Sequence, residues 1–172
     1  MTSIDTSTDP VLTLAMTLRI ECTPFEAVGP TGKGIRRISN LTKGTFEIPA
    51  QNAGTFETKL TRGVVLGGHD WQLLHGETLA ELDARYNLRT EDGHLIYVRA
   101  AGRRYGTPEV LQKLMRGESV VRGKDYYGAS APLIETAAPG LEWMNHHAFI
   151  GNSRSEPGVQ SLRFFAVTYK GA

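Results

Sequence analysis

The chain has 172 residues, of which 40% are hydrophobic and 22% are charged, with a formal net charge of +1 at pH 7. This composition is typical of one globular domain and excludes a disordered chain. A net charge so close to zero gives no global field that would attract nucleic acid or an anionic membrane, so neither is an expected partner. The single cysteine, Cys22, excludes an internal disulfide framework.

The sequence carries no visible targeting or membrane segment. The first ten residues, MTSIDTSTDP, are polar and lack the charged start and apolar core of a secretory signal peptide. No run approaches the roughly 18 apolar residues that a membrane-spanning helix requires. We therefore expect a cytoplasmic protein in which residues 1–10 form a flexible tail and residues 11–172 form one domain.

The first part of the chain has the two-residue period of half-buried strands. In residues 11–22, apolar residues at every second position alternate with mostly polar ones, which predicts a long strand. A strand follows Gly34, another spans 44–48, and residues 56–66 connect to the next block. The glycine-rich stretch 29–34 lacks the Ser or Thr and the helix that follow Gly-Lys in a phosphate loop, so a β-turn is the better interpretation.

Residues 67–102 are the block around which the rest of the chain is organised. The strands predicted there are 69–74, 79–89 and 94–100. Asp92-Gly93 lies between two β-patterned runs, and this is the strongest short hairpin signal because both central turn residues require a positive φ. The Leu, Ala and Glu residues of 78–86 would also suit a helix, but the hairpin turn and the alternation argue against it.

Beyond this block one helix is predicted. Thr107-Pro108-Glu109 combines a capping residue, Pro at the first helical position and an acidic first turn. An apolar stripe follows, and Gly117 is the expected C-terminal stop. Residues 118–140 are long and partly irregular, a composition that suits a lid or an interface loop.

The end of the chain returns to the strand pattern. Residues 141–150 alternate as a strand, residues 151–158 are predicted as a loop, and residues 161–170 as the last strand. In total, about 8–10 strands stand against one short helix, which predicts a mainly β fold, a single closed antiparallel β-barrel without exposed edges.

The central block also carries a resemblance. The motif G-G-x-D-W-Q at 67–72, followed from Leu82 by L-D-A-R-Y-x-L-x-T-x-D-G-x-x-I-Y-V-x-x-x-G, resembles the DUF3237 family, also known as UPF0311. The resemblance implies a small, lipocalin-like antiparallel barrel in a family whose chemistry is largely uncharacterised. The chain departs from the family pattern in two places. Residues 50–55 look like an insertion, and residues 106–138 are longer than the family's usual connection.

A barrel of this size can enclose one small ligand, so the decisive question is which face of each strand points inward. On the strand 79–89, either Asp83 and Arg85 line the interior, or Leu82 and Tyr86 do. The alternation leaves both open. The family resemblance favours a buried or functional role for Asp70, Asp83 and Arg85.

With the charged face inward, the residues suit acid–base catalysis. Burial would raise the pKa of Asp70 or Asp83, and Arg85 would keep one of the pair ionised. The expected function is therefore a cofactor-free isomerase, cyclase or lyase acting on a small apolar carbonyl compound, in secondary metabolism or aromatic catabolism. The candidate catalytic residues are Asp70, Asp83, Arg85 and His147. The candidate substrate-binding residues are Trp71, Gln72, Tyr86, Tyr97, Arg99 and Trp143.

Two alternatives use the same residues without catalysis. A binding or carrier protein of lipocalin type would enclose the same apolar organic ligand without proton transfer. In a purely structural role, Asp70 would cap the turn at 67–68, and Asp83 with Arg85 would help to set the barrel register.

Metal and cofactor sites are not expected. Neighbouring histidines such as His146 and His147 face opposite sides of a strand, and neither an H-x-H nor an H-E-x-x-H pattern occurs. A nucleophile elbow and a dinucleotide fingerprint are likewise missing from the sequence. A homodimer is expected, because Trp143, Phe164, Phe165 and the pair Tyr126-Tyr127 offer more apolar surface than one barrel buries.

Overall fold

In a computed structural model that describes residues 9–116 and 118–169, nearly all of the regular structure is β-strand. The strands are β1 (Pro10–Cys22), β2 (Glu26–Thr31), β3 (Gly34–Ile48), β4 (Gln51–Asn52), β5 (Glu57–Thr58), β6 (Thr61–His75), β7 (Leu79–Thr90), β8 (Leu95–Gly106), β9 (Tyr126–Thr136), β10 (Phe149–Glu156) and β11 (Val159–Tyr169). The helices are α1 (Pro108–Met115) and a 3-10 helix (Glu142–Asn145).

Eight strands close into one antiparallel barrel. Around the barrel they follow the order β1-β11-β10-β9-β8-β7-β6-β3, and β3 pairs back with β1. Outside this ring, β2 pairs with the other part of β3, and β4 pairs with β5 as a separate ribbon. The predicted antiparallel barrel with one short α-helix is therefore confirmed, including the assignment of residues 79–89 to a strand.

Alternation along each strand decides which side chains enter the barrel. On β7, Tyr86 and Leu88 are 2% and 0% exposed, whereas Arg85 and Arg89 are exposed. The interior is filled mainly by large apolar side chains, among them Met16 and Phe164, both at 0% exposure. This apolar packing occupies most of the barrel interior.

The two ends of the barrel are covered in different ways. At one end α1 follows directly on β8, and the Thr107 hydroxyl accepts a hydrogen bond from the backbone N–H of Val110, as predicted for its N-cap. Leu114 of α1 is buried. At the opposite end the 3-10 helix is held to the end of β9, because the Asn145 side chain bonds both the N–H and the carbonyl of Thr136.

Three segments differ from the sequence prediction. The strand predicted at 141–150 contains the 3-10 helix (Glu142–Asn145) and only the first two residues of β10, and the loop predicted at 151–158 is mostly β10. The alternation was misleading there, because the buried residues Leu141 and Met144 are three positions apart, the spacing of a 3-10 turn. The segment 118–140, predicted to be long and partly irregular, contains the eleven residues of β9 (Tyr126–Thr136).

Some expectations fall outside the described residues. The predicted helix stop, Gly117, and residues 1–8 of the predicted tail are not among them, and β1 already begins at Pro10. Within the described ranges, no helix has the length and apolar character needed to cross a bilayer.

The residues behind the expected homodimer are partly internal. Phe164 and Tyr126 are 0% and 8% exposed, so they belong to the barrel interior and offer no surface for a partner. Tyr127 remains 59% exposed. Self-association stays a prediction that rests on this smaller surface.

Glycine permits a close approach of β6 and β7 beside the interior. A Cβ atom added to Gly68 would lie 2.0 Å from the carbonyl oxygen of Arg85. We expect Gly68→Ala to lower the free energy of unfolding by about 1–3 kcal/mol, because the strands must separate to admit the methyl group. Chemical denaturation measures the loss. In the control variant Gly32→Ala the added Cβ meets nothing within 4 Å, and equal stability of the two variants would contradict the prediction.

Candidate functional site

Three hollows lie around one arginine at the α1 end of the barrel. Their volumes are about 410, 330 and 60 Å³, and Arg104 lines all three. Leu114 of α1 lines the second and the third. Asp70 lines the smallest, Gln72 the second and Arg37 the largest. The polar residues of the interior therefore border connected or adjacent spaces beneath α1.

Asp70 is the buried carboxyl of this region. Its side chain enters the barrel from β6 and is 5% exposed. Gln72, two residues further along the same face, donates from Nε2 to Asp70 Oδ2 at 2.6 Å. The backbone N–H of Asp83 on β7 donates to Asp70 Oδ1 at 3.2 Å. Both carboxyl oxygens are thus held as acceptors.

The ladder between β6 and β7 is interrupted where these bonds form. Pairing runs through Asp70 with Ala84, resumes at Leu73 with Glu81, and leaves the positions between them without partners. The freed backbone N–H of Asp83 finds its acceptor in the Asp70 carboxyl. Asp70 therefore repairs a gap in the wall in addition to facing the interior.

A directed hydrogen-bond chain reaches Asp70 from β3. Arg37 Nε donates to Gln72 Oε1 at 2.9 Å. Because arginine only donates, the amide oxygen of Gln72 must face Arg37, and its amide nitrogen must then face Asp70. The orientation of Gln72 is therefore determined by its two neighbours.

The charged groups of the site influence one another. Burial raises the pKa of Asp70, although the hydrogen bonds from Gln72 and Asp83 and the charges of Arg104 and Arg37 oppose the rise. Burial, and next the like charge of Arg104, lower the pKa of Arg37 to about 10. Burial likewise lowers the pKa of Arg104. Within the described ranges, neither arginine lies within the 4.0 Å ion-pairing distance of Asp70.

Tyr86 on β7 contributes a buried hydroxyl close enough to Asp70 to be influenced by its charge. Its side chain is 2% exposed, and among the described residues its oxygen has no hydrogen-bond partner. Burial, and secondarily the charge of Asp70, raise the pKa of Tyr86. The phenol therefore stays protonated and can serve only as a neutral donor or acceptor.

The expectation that Asp83 and Arg85 enter the barrel is wrong. Arg85 and Arg99 both bond the Asp83 carboxylate at 3.1 Å on the outer wall, where the three side chains are 35–48% exposed. The reason is the register of β7, which turns Tyr86 inward and its neighbours outward. Burial opposes the change, but the hydrogen bonds from Arg99 and Arg85 lower the pKa of Asp83. Asp70 therefore lies inside the barrel and Asp83 outside it, so the two carboxyl groups do not form the expected pair.

The expected aromatic wall is also placed elsewhere. Trp71 lies outside, with the Arg85 guanidinium 6.0 Å from its ring centre. Tyr97 alternates with Ile96 and Val98, both 0% exposed, and so faces outward as well. Of the ten candidate residues, the inward-facing ones on β6 and β7 are Asp70, Gln72 and Tyr86.

His147 and Trp143 lie at the far end of the barrel. Trp143 stacks on Phe56 with ring centres 3.7 Å apart. His147 donates from Nδ1 to the Trp143 carbonyl at 2.8 Å, and its Nε2 lies 3.1 Å from the Thr55 hydroxyl. These residues form a plug beside the 3-10 helix and do not meet Asp70.

Sequence reasoning missed Arg37 and Arg104. In the structure each shares a strand face with buried residues: Arg37 with Ser39, and Arg104 with Val98 and Ala100. Neither strand shows from the sequence alone which face is internal. Among the described residues, no group of three or more His, Cys, Asp or Glu side chains is arranged to hold a metal ion.

Comparison with known proteins gives the same fold. The model of a family described as "Protein of unknown function (DUF3237)" matches residues 10–170. A UPF0311 protein of Rhodopseudomonas palustris strain TIE-1 is 35% identical over 127 residues, which are 74% of this chain and 76% of that protein.

Two solved structures resemble the chain over most of its length. A β-barrel-like protein from Acinetobacter baumannii AYE has a TM-score of 0.72 at 29% identity, covering 92% of this chain and 96% of the other. A protein described as an enzyme from Penicillium herquei has a TM-score of 0.62 at 16% identity, covering 97% and 99%. At that identity the second likeness concerns the fold alone.

Replacing the buried carboxyl changes how stability depends on pH. Burial raises the pKa of Asp70 in the folded state, above an unfolded value of about 3.9. Its contribution to stability is therefore full below the unfolded pKa and is lost as the pH rises through the folded pKa. We expect Asp70→Asn to gain stability relative to the wild type over this window, by up to about 1.4 kcal/mol per pH unit.

Chemical denaturation at a series of pH values measures this difference. Asp83→Asn is the matched control, because the lowered pKa of Asp83 has the opposite sign: its stabilisation is present above the unfolded pKa and is lost as the pH falls. Parallel pH profiles for the wild type and Asp70→Asn would show that the carboxyl titrates normally.

Proposed function

For this chain, which belongs to the DUF3237 family of proteins of unknown function, we propose acid–base catalysis without a cofactor. The reaction is an isomerisation, cyclisation or elimination of a small apolar carbonyl compound held in the hollows beneath α1. The observation that supports it is the buried Asp70 carboxyl, whose pKa is raised, beside a hollow that Arg104 also lines. A perturbed carboxyl in a cleft is a common mark of a functional site.

In the proposed step, Asp70 takes a proton from the carbon next to the substrate carbonyl. The electron pair of that C–H bond moves into the carbonyl group, and the negative charge that develops on the oxygen is stabilised by the Arg104 guanidinium. Asp70 then returns the proton to another carbon, or to a leaving group, which completes the reaction without a change in redox state. A base whose pKa is raised toward the working pH suits this task.

Gln72 acts as a positioning residue in this proposal. It donates to one oxygen of Asp70 while Arg37 holds its other end. With the Asp83 backbone N–H on the other oxygen, the carboxyl cannot rotate freely. Fixed orientation lowers the entropic part of the barrier, since the base already points at the proton it removes.

A carrier for an apolar ligand is the second candidate. The 410 Å³ hollow is bordered by apolar side chains, among them Ile35, Leu74, Leu79, Leu111 and Met115. Such a surface binds an apolar molecule without any proton transfer. The two functions differ in whether a bound ketone exchanges its protons.

Exchange of carbon-bound protons tests catalysis before the natural substrate is known. We expect the wild-type protein to accelerate deuterium incorporation next to the carbonyl of benzylideneacetone, indanone or tetralone in heavy water, followed by proton NMR. Asp70→Asn should slow this exchange by about 10²–10⁴-fold, the usual contribution of a general base. Asp83→Asn should keep the wild-type rate, because that carboxylate lies on the outer wall.

Thermal stability of each variant is measured in parallel, so that loss of activity is compared between folded proteins. Equal exchange rates for Asp70→Asn and the wild type would remove Asp70 from the mechanism. Binding of the ketones with no exchange above the buffer rate would favour the carrier.

A further inference from the structure

Among the described residues, Arg104 is a charged side chain that forms no hydrogen bond or ion pair. It is the inward residue near the end of β8, it is partly buried, and it lines all three hollows. Within residues 9–116 and 118–169 its guanidinium has no hydrogen-bond acceptor and no carboxylate within 4.0 Å. Removing a guanidinium from water without pairing it costs free energy, which a bound anion would offset.

The Arg37 guanidinium is held in place by its neighbours, but only some of its N–H donors make hydrogen bonds. Its guanidinium lies 3.9 Å from the ring centre of Phe25, and Nε donates to Gln72. A second nitrogen lies 3.6 Å from the Met115 sulfur, which is a weak acceptor. Guanidinium carries five N–H donors, so most of them lack a strong acceptor in the protein. The group is preorganised to bind a further acceptor.

The local charge is unbalanced. Arg37 and Arg104 border the same 410 Å³ hollow, and each lies near enough to the other for the Arg104 charge to lower the pKa of Arg37. The one buried acidic side chain nearby, Asp70, already accepts from Gln72 and from the backbone of Asp83.

The other charged groups of this hollow do not correct the imbalance. Glu77 and Arg116 also line it, but both are exposed, and Arg116 bonds Glu118 instead. The inner part of the hollow therefore keeps two positive charges that face apolar walls.

The geometry points to a carboxylate subsite formed by Arg37 and Arg104, with the apolar walls of the 410 Å³ hollow taking the hydrocarbon part of the ligand. Arginine binds carboxylates through paired N–H donors, which gives both affinity and orientation. The ligand is then a small aromatic or alicyclic carboxylic acid. This rests on the proposed function in one respect, namely that the acid occupies the same hollows as the reacting carbonyl compound.

Two probe molecules of nearly equal shape, one anionic and one neutral, show how the charge of the ligand affects its binding. Cinnamate carries a carboxylate where benzylideneacetone carries a methyl ketone. Isothermal titration calorimetry should show cinnamate binding to the wild type at least about tenfold more tightly, since hydrogen bonds to charged groups exceed neutral ones by this order.

Arginine variants test which residue causes the preference for cinnamate over benzylideneacetone. Arg104→Met should abolish the preference for cinnamate, whereas Arg104→Lys should keep part of it, because the charge remains and the paired donors are lost. Arg99→Met is the matched control on the same strand, since Arg99 bonds Asp83 on the outer wall, and it should keep the full preference. Among the described residues Arg104 makes no hydrogen bond or ion pair, and the cost of burying its charge outweighs the favourable charge of Asp70, so Arg104→Met should melt at or above the wild-type temperature.

The outcomes separate this inference from the proposed function. Equal affinities of the two probes for the wild type, or an unchanged preference in Arg104→Met, would overturn the carboxylate subsite even if ketone exchange occurs. A cinnamate preference that depends on Arg104, found without exchange of any ketone, would support the subsite and contradict the enzyme.

Discussion

The interior of this barrel depends on one buried carboxyl that completes a broken strand pair. Where β6 and β7 stop exchanging backbone hydrogen bonds, the N–H of Asp83 would be left without an acceptor, and Asp70 supplies it. Gln72 and Arg37 then fix the carboxyl from the other side. A buried acid is costly in a protein interior. At the point where the ladder is interrupted, Asp70 therefore has a structural role, and the proposed function would give the same side chain a chemical one.

The hollows lie at the α1 end of the barrel, whereas the middle and the opposite end are packed with side chains. Apolar side chains such as Met16, Ile96 and Phe164 fill the middle and the end covered by the 3-10 helix, so most hydrophobic stabilisation arises there. If apolar side chains filled the space around Arg104 in the same way, charged groups would be buried against hydrocarbon. The hollows beneath α1 are therefore where apolar packing is reduced and where Asp70, Gln72 and Arg104 border open space.

The limits of the sequence prediction follow from the two-residue period. Alternation and the Asp92-Gly93 turn are local properties, and they correctly predicted β7 and its hairpin partner. The choice of the inward face is not local, because it depends on pairing with distant strands. Asp83 and Arg85 were therefore placed on the wrong side of the wall, although the same reasoning named Asp70 and Gln72, which are inside.

Residues near the ends of elements were harder still to assign. His147 and Trp143 follow an apolar pattern that alternates like a strand, yet a 3-10 helix places them in the plug at the far end. Arg104 lies in β8 beyond Gly102, where the recognisable motif ends. Its importance comes from what surrounds it, namely three hollows and, within the described part of the chain, no hydrogen-bond acceptor. Neither property has a signature in the sequence.

Carboxylate recognition and proton transfer would be coupled through charge. Burial raises the pKa of Asp70, while the charges of Arg104 and Arg37 hold it down. A carboxylate bound to both guanidiniums would neutralise part of their charge and so remove some of this opposition. Asp70 would become a stronger base with an acid in place than with a neutral ligand. Selectivity for a charged substrate would then be expressed in kcat as well as in binding, because the bound anion would adjust the basicity of Asp70.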